Sequence, residues 1–94
     1  MRIAGIIWLP NVVDKLVDKH HVYVHEAEQI LTGRARFRRV QRGKVRGEDV
    51  YAATGQTTSG RYLIVYFIYK SGHNALVISA RDMDAKERKQ YERK

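Results

Sequence analysis

Apolar residues change their spacing along this chain, and the changes divide it into elements. Ile3 to Trp8 is a short apolar run rich in β-formers and predicts a strand. Pro10 and Asn11 then mark a helix start, with Asn11 as candidate N-cap and Asp14 three residues on. Val12, Val13, Leu16, Val17 and His20 recur at helical spacing on one face, with Asp14, Lys15 and Asp18 opposite. A second short helix fits Val24 to Leu31. It turns Val24, Ala27, Ile30 and Leu31 inward and stops at Gly33.

From Ala35 the period shortens to that of strands. Ala35, Phe37 and Val40 flank Arg36 and Arg38 in one strand, with Arg42-Gly43-Lys44 as the turn after it. Glu48 to Thr54 is the next strand, ended by Gly55-Gln56 and Ser59-Gly60. Arg61 to Tyr69 is apolar on both alternating faces, which predicts a central strand covered on both sides. Lys70-Ser71-Gly72-His73 reads as a hairpin turn, and Ala75 to Ala80 returns antiparallel. Asp84 with Glu87 three residues on predicts a capping box for a final helix, Ala85 to about Arg93. The order is β-α-α-β-β-β-β-α. This is an α+β class, a small antiparallel sheet flanked by helices, in one domain over residues 1–94 with no linker, repeat or low-complexity tract.

The meander has a geometric consequence. Folding about Ser71-Gly72 sets the start of the Arg61 strand beside the end of the Ile78 strand, so Arg61 and Arg81 are expected at one edge of the sheet. Folding back about the Gly55 to Gly60 loop brings Thr54 there, and the strand from Ala35 starts on that edge with Arg34 and Arg36. Plain registers would thus make four arginines converge, and a bulge would shift the pattern by a residue.

Composition narrows the classes. The 94 residues allow one modest core, and 44% hydrophobic content fits a globular chain. The formal charge of +8, from 18 Lys+Arg against 10 Asp+Glu, points to a polyanion, a membrane surface or an acidic partner protein. No apolar run approaches a membrane span, and Ile3 to Leu9 is too short and wrongly flanked for a signal peptide. The absence of cysteine excludes disulfides, thiolate catalysis and zinc-thiolate sites, and suits a cytoplasmic protein. Arg81, where a buried strand stops, is held on a rigid element yet open to solvent, placed to meet a phosphate or a carboxylate.

Several short motifs occur in a familiar order. They are Trp8 ahead of the first helix, Lys19-His20 with Val22 at its end, and Glu26-Ala27-Glu28 in the second helix. Gly47-Glu48-Asp49, Gly55-Gln56-Thr57, Gly60-Arg61, Ile78-Ser79-Ala80-Arg81 and Glu87-Arg88 with Tyr91 follow. In these residues the chain resembles the BrnT toxins of bacterial type II toxin–antitoxin systems, relatives of the RelE-type ribonucleases. The resemblance implies a RelE-like sheet flanked by helices and a ribonuclease that cleaves mRNA and inhibits translation. It also implies a BrnA-like ribbon-helix-helix antitoxin, through which the complex binds operator DNA. Two positions depart from the pattern: Leu76 and Val50 stand where the resemblance leads one to expect arginine.

The implied reaction is metal-independent: a ribose 2′-hydroxyl attacks the adjacent phosphorus and the 5′-oxygen leaves. It needs cations on the phosphoryl oxygens, a base and an acid. Arg81 and Arg61 are the candidate phosphate clamp. The alternative for Arg81 is a salt bridge to Asp82, Asp84 or Glu87 that anchors the last helix. His20 is the candidate acid or base, or else caps the first helix. Lys19 is a further cation or a solvated helix end. Glu87 and Tyr91, four apart, share a helix face. Glu87 orients an arginine or caps its helix; Tyr91 contacts phosphate or base, or packs on the sheet. Arg34 to Arg46 holds seven basic residues and no acid, and Arg34, Arg36 and Arg38 are the candidate RNA contacts there, against a solvated strand face or an antitoxin-binding surface. His21 and His25 have i, i+4 spacing, but the extended-looking Val22-Tyr23-Val24 breaks it and no carboxylate or cysteine completes a set, so neither a metal nor another cofactor is expected. A non-catalytic basic module binding RNA or protein is the alternative of a different class.

Overall fold

The computed structural model describes residues 1–93. Its elements are β1 (Gly5–Ile7), α1 (Pro10–His20), α2 (Val24–Thr32), β2 (Arg36–Gln41), β3 (Val50–Gln56), β4 (Tyr62–Lys70), β5 (Asn74–Asp82) and α3 (Ala85–Glu92), with a short 3-10 turn over Ser71–His73 between β4 and β5. The element order is the one expected. The first helix starts two residues early: Leu9 holds the cap position and Pro10 the first helical one, so Asn11 is not the N-cap. Proline's locked φ suits that first position, where its missing N–H would go unused anyway.

The five strands form one sheet in the order β1-β5-β4-β3-β2. β2 to β5 are the antiparallel meander, but β1 pairs parallel with β5, so the sheet is mixed rather than antiparallel. The two helices between β1 and β2 carry the chain across one face, which lets β1 run alongside β5 in the same direction.

That helical face holds the core. Leu16, Val22, Ala27, Ile30 and Leu31 pack on Ala53, Leu63, Val65, Phe67, Ala75, Val77 and Ala80. Phe67 is fully buried, with Phe37 edge-on at 6.1 Å, Tyr51 stacked at 5.9 Å and Tyr69 edge-on at 6.4 Å between ring centroids. Gly55 permits the close approach of α2, because a Cβ there would meet Ile30 Cδ1 at 3.2 Å. Trp8 Nε1 donates to Glu28 Oε2 at 3.0 Å and ties the entry of α1 to α2.

The opposite face of β4 is only partly covered, contrary to the expectation of a strand enclosed on both sides. Ile64 is buried there, while Tyr62, Tyr66 and Ile68 are half-buried. The cover is α3, which starts in the expected capping box. Glu87 N–H donates to Asp84 Oδ1 at 2.7 Å, and Asp84 N–H donates to Glu87 Oε1 at 2.9 Å. No residue of α3 is buried. Its hold on the sheet is aromatic and ionic: Tyr91 edge-on to Tyr62 at 6.0 Å, and Arg88 over the Tyr62 ring at 4.1 Å.

Candidate nucleic-acid interface

A bulge positions Arg81. From Lys70 paired with Asn74 to Phe67 paired with Val77 the β4–β5 register is plain, and it shifts by one residue before Tyr66 pairs with Ser79. An unbroken register would set Arg81 opposite Leu63, on the face buried under α1 and α2. A guanidinium there would be costly. With the bulge, Ala80 takes the buried place, and Arg81 pairs with Ile64 on the α3 side.

Two transverse rows result on that face. One runs Arg36, Thr54, Ile64, Arg81 and the next Arg38, Ala52, Tyr66, Ser79, each across β2, β3, β4 and β5. Three arginines thus stand at the ends of two rows whose centres are small, apolar or aromatic. A cavity of about 180 Å³ opens between this face and α3, lined by Arg36, Arg38, Thr54, Ile64, Gln90 and Tyr91 among others. Arg36 lies over the Tyr91 ring at 5.1 Å and donates from Nη1 to the Arg93 carbonyl at 2.9 Å.

Arg81 is held by a bidentate pair. Its Nη1 and Nη2 donate to Glu87 Oε1 and Oε2 at 2.7 and 2.8 Å, Nη2 also donates to the Tyr66 hydroxyl at 3.1 Å, and Nη1 to the Asp82 carbonyl at 3.1 Å. Glu87 therefore serves the helix cap and the arginine together, because a carboxylate has lone pairs enough for both. The hydrogen bonds from Arg81 are the main reason its carboxyl is held down to about 2 from 4.5. The Arg81 guanidinium is in turn held more firmly charged, first by Glu87. A carboxyl depressed in this way stabilises the docked helix fully above about pH 4.5, and that contribution is lost as pH falls through about 2. Tyr62 and Tyr91 ring resonances are expected to report the release of α3 in that window, and Glu87→Gln to abolish the transition.

Arg61 lies at the same end of the sheet as Arg81 but on the opposite face, so the expected convergence of the two does not form. It sits in the turn before β4, where the buried Thr57 hydroxyl accepts its backbone N–H at 3.0 Å. Its side chain donates to the His20 and His21 carbonyls at 2.9 and 2.6 Å, to Glu26 Oε1 at 3.0 Å, and from Nε and Nη2 to Asp82 at 2.8 and 3.1 Å. This satisfies the carbonyls that end α1 and joins α1, α2 and β5. Arg61→Met is expected to cost about 1.5–3 kcal/mol, from lost bonds to charged and terminal groups, read as a lowered urea midpoint.

His20 closes α1 and Lys19 precedes it, exposed; both lie on the helical side near Arg61. Asp82 is held below its ordinary value, first by Arg61, with His20 and His21 adding to the effect. Arg34 is exposed beside Gly55, Gln56 and Tyr91. The structure therefore gathers Arg81, Glu87, Tyr91, Arg36 and Arg38 on the α3 face, with Arg34 at its rim, and leaves Arg61, His20 and Lys19 behind it. Among the described residues no group of three or more His, Asp or Glu side chains could hold a metal ion.

Tyr66 and Gln90 escaped the sequence reading. Tyr66 was hidden in an apolar strand, and the signal was the pair of polar-tipped rings, Tyr62 and Tyr66, on one face of it. The departures Val50 and Leu76 fall in a single row on either side of Ile68. That row is four residues from Ile64 along β4, roughly 13 Å at the usual rise. Apolar residues there leave the Arg36–Arg81 row intact.

Comparison with known proteins gives one family. The family model described as "Ribonuclease toxin, BrnT, of type II toxin-antitoxin system" matches residues 8–87. No curated protein sequence matches. Among solved structures, the chain is similar to the 1.1 Å crystal structure of the Brucella abortus ribonuclease toxin BrnT. The TM-score is 0.62 and the identity 20%, covering 85% of this chain and 96% of that one. At that identity the likeness speaks for the fold, while the family match spans most of the sequence and includes Trp8, the Glu26-Ala27-Glu28 run, Arg81 and Glu87. The chain belongs to the BrnT family of ribonuclease toxins of type II toxin–antitoxin systems.

Proposed function

We propose that this protein is a metal-independent endoribonuclease that cuts mRNA on the α3 face of its sheet and so arrests translation. In the reaction a base removes the 2′-hydroxyl proton as O2′ bonds to phosphorus. The P–O5′ bond then breaks, and an acid protonates the leaving oxygen. Arg81 meets the phosphoryl oxygens as charge builds on them, Arg36 and Arg34 neutralise flanking phosphates, and Arg38 meets the substrate at the cavity rim. Glu87 and Tyr66 orient Arg81, and Tyr91 meets the substrate beside Arg36. The depressed Glu87 carboxyl is a poor proton acceptor, and His20, with Lys19 and Arg61, lies on the opposite face of the sheet from Arg81, so the acid–base role is assigned to neither Glu87 nor His20. One observation carries the reading: a guanidinium oriented from two sides, in register with a second arginine across four strands.

The family implies an antitoxin partner, and we assign it to the BrnA-like ribbon-helix-helix class, binding operator DNA for the complex, in the cytoplasm. Among the described residues no helix is long and apolar enough to cross a membrane. A second reading, a non-catalytic RNA- or protein-binding module, draws on the engagement of Arg81 with Glu87, Tyr66 and the Asp82 carbonyl. RNA incubated in EDTA with wild-type and Arg81→Ala protein separates the two: cleavage lost in the variant supports the enzyme, and binding without cleavage by either supports the module. RNA affinity is expected to fall steeply between 50 and 200 mM salt, by about tenfold or more for a few phosphate contacts, as read by filter binding.

A further inference from the structure

The cavity under α3 has a chemistry that phosphate binding does not use. Its floor and walls include Ile64 and the ring of Tyr91, while Arg36, Arg38, Thr54, Glu87 and Gln90 edge it. At about 180 Å³ it is smaller than the roughly 300–1,000 Å³ of clefts for drug-sized ligands. That size suits one flat ring system. Glu87 is neutralised by its bidentate pair with Arg81, so Arg36 and Arg38 leave the rim cationic. A neutral apolar ligand would gain nothing from them. A nucleotide gains twice, its base lying on the apolar floor and its phosphate meeting the rim.

We infer that this cavity is a nucleobase pocket that selects a purine next to the cleaved phosphate; the inference rests on the ribonuclease reading for its place in the reaction. Unstacked bases in single-stranded RNA are held by aromatic rings and guanidinium planes and read along their Hoogsteen edges. Tyr91, with Arg36 stacked over it, supplies the first. Arg38 and Gln90, exposed at the rim and without side-chain hydrogen bonds among the described residues, supply the second. Arginine pairs naturally with O6 and N7 of guanine and glutamine with N6 and N7 of adenine. N7 belongs to purines alone, and a pyrimidine in the same place leaves those donors unpaired. Gln90 is a specificity-determining residue on this account, and its exposure on α3 makes its replacement harmless to the core.

Two measurements test the pocket. Titration with purine and pyrimidine nucleoside monophosphates, followed by NMR of the Gln90 side-chain amide and the Tyr91 ring, is expected to shift both signals with purines at concentrations at least about fivefold lower than with pyrimidines. Equal shifts, or none, overturn the pocket. In parallel, the 5′ ends of cleaved RNA are sequenced for wild-type and Gln90→Ala protein. The ratio of cleavage beside purines to cleavage beside pyrimidines is expected to fall by about tenfold. An unchanged ratio overturns the role of Gln90 in selection. Purine-selective titration by a protein that cuts no RNA sinks the ribonuclease reading and sustains the pocket. Cutting without purine-selective titration does the reverse. Saturation of the same signals by an antitoxin peptide, with no response to nucleotides, marks a protein-docking cavity and also overturns it.

Discussion

Arg81→Ala is expected to lower RNA cleavage by about two to three orders of magnitude, the loss typical when one preorganised donor to a developing oxyanion is removed. The protein should still fold, because the core lies on the other face of the sheet and none of its buried side chains touches this arginine's role. Arg81 also anchors α3 through Glu87, so the variant removes two things together. Glu87→Ala separates them. It releases the helix and frees the guanidinium without deleting it. If Arg81 acts on phosphate, Glu87→Ala retains far more activity than Arg81→Ala, with a raised KM from looser positioning. Equal losses in the two variants would show that anchoring is the whole contribution of Arg81.

The second large effect is on stability. Phe67→Ala is expected to cost about 3–5 kcal/mol, the range for emptying an aromatic site in a core. Phe67 is fully buried at the centre of β4 with Phe37, Tyr51 and Tyr69 around it, so three rings lose a partner. Against a total stability of roughly 5–15 kcal/mol for a domain, that is a large share. In a domain of this size each kcal/mol moves Tm by about 4–8 °C. Thermal and urea unfolding should therefore place Phe67→Ala well below wild type. A midpoint within a degree of wild type would mean that the surrounding rings close the gap, which their attachment to three different strands opposes.

Much of the local architecture is legible in the residues. Asp84 and Glu87 predict a capping box from their types and spacing alone, and the structure has it with both bonds formed. Gly33 ends α2 where its spacing says it should. Such features depend on neighbours within one turn, and short-range chemistry is written directly in the chain. Asn11 is the exception, and it too is local: Pro10 suited the first helical position better than Asn11 suited the cap.

The arginines are a different matter. Arg61 and Arg81 are each visible as cations at strand ends, and the meander puts both at one end of the sheet. The face of Arg81 depends on the extra residue, Ile78, between Val77 and Ser79, which inverts the alternation of β5 halfway along. No two-residue period can announce the place where it fails. Nor does composition say which carboxylate each arginine meets. Asp82 follows Arg81 directly yet holds Arg61, and Glu87 holds Arg81.

What the sequence determined by itself is the inventory of elements, their order, the charge and the family. Helix and strand periods, caps and turns act over a few residues, and they hold whatever the rest of the chain does. The tertiary structure alone decided the parallel docking of β1 and the bulge that buries Ala80 in place of Arg81. It also decided the division of the cations between two faces. Those outcomes follow from a competition across the whole sheet, in which burying an alanine and keeping a guanidinium near water outweighed the regularity of one strand.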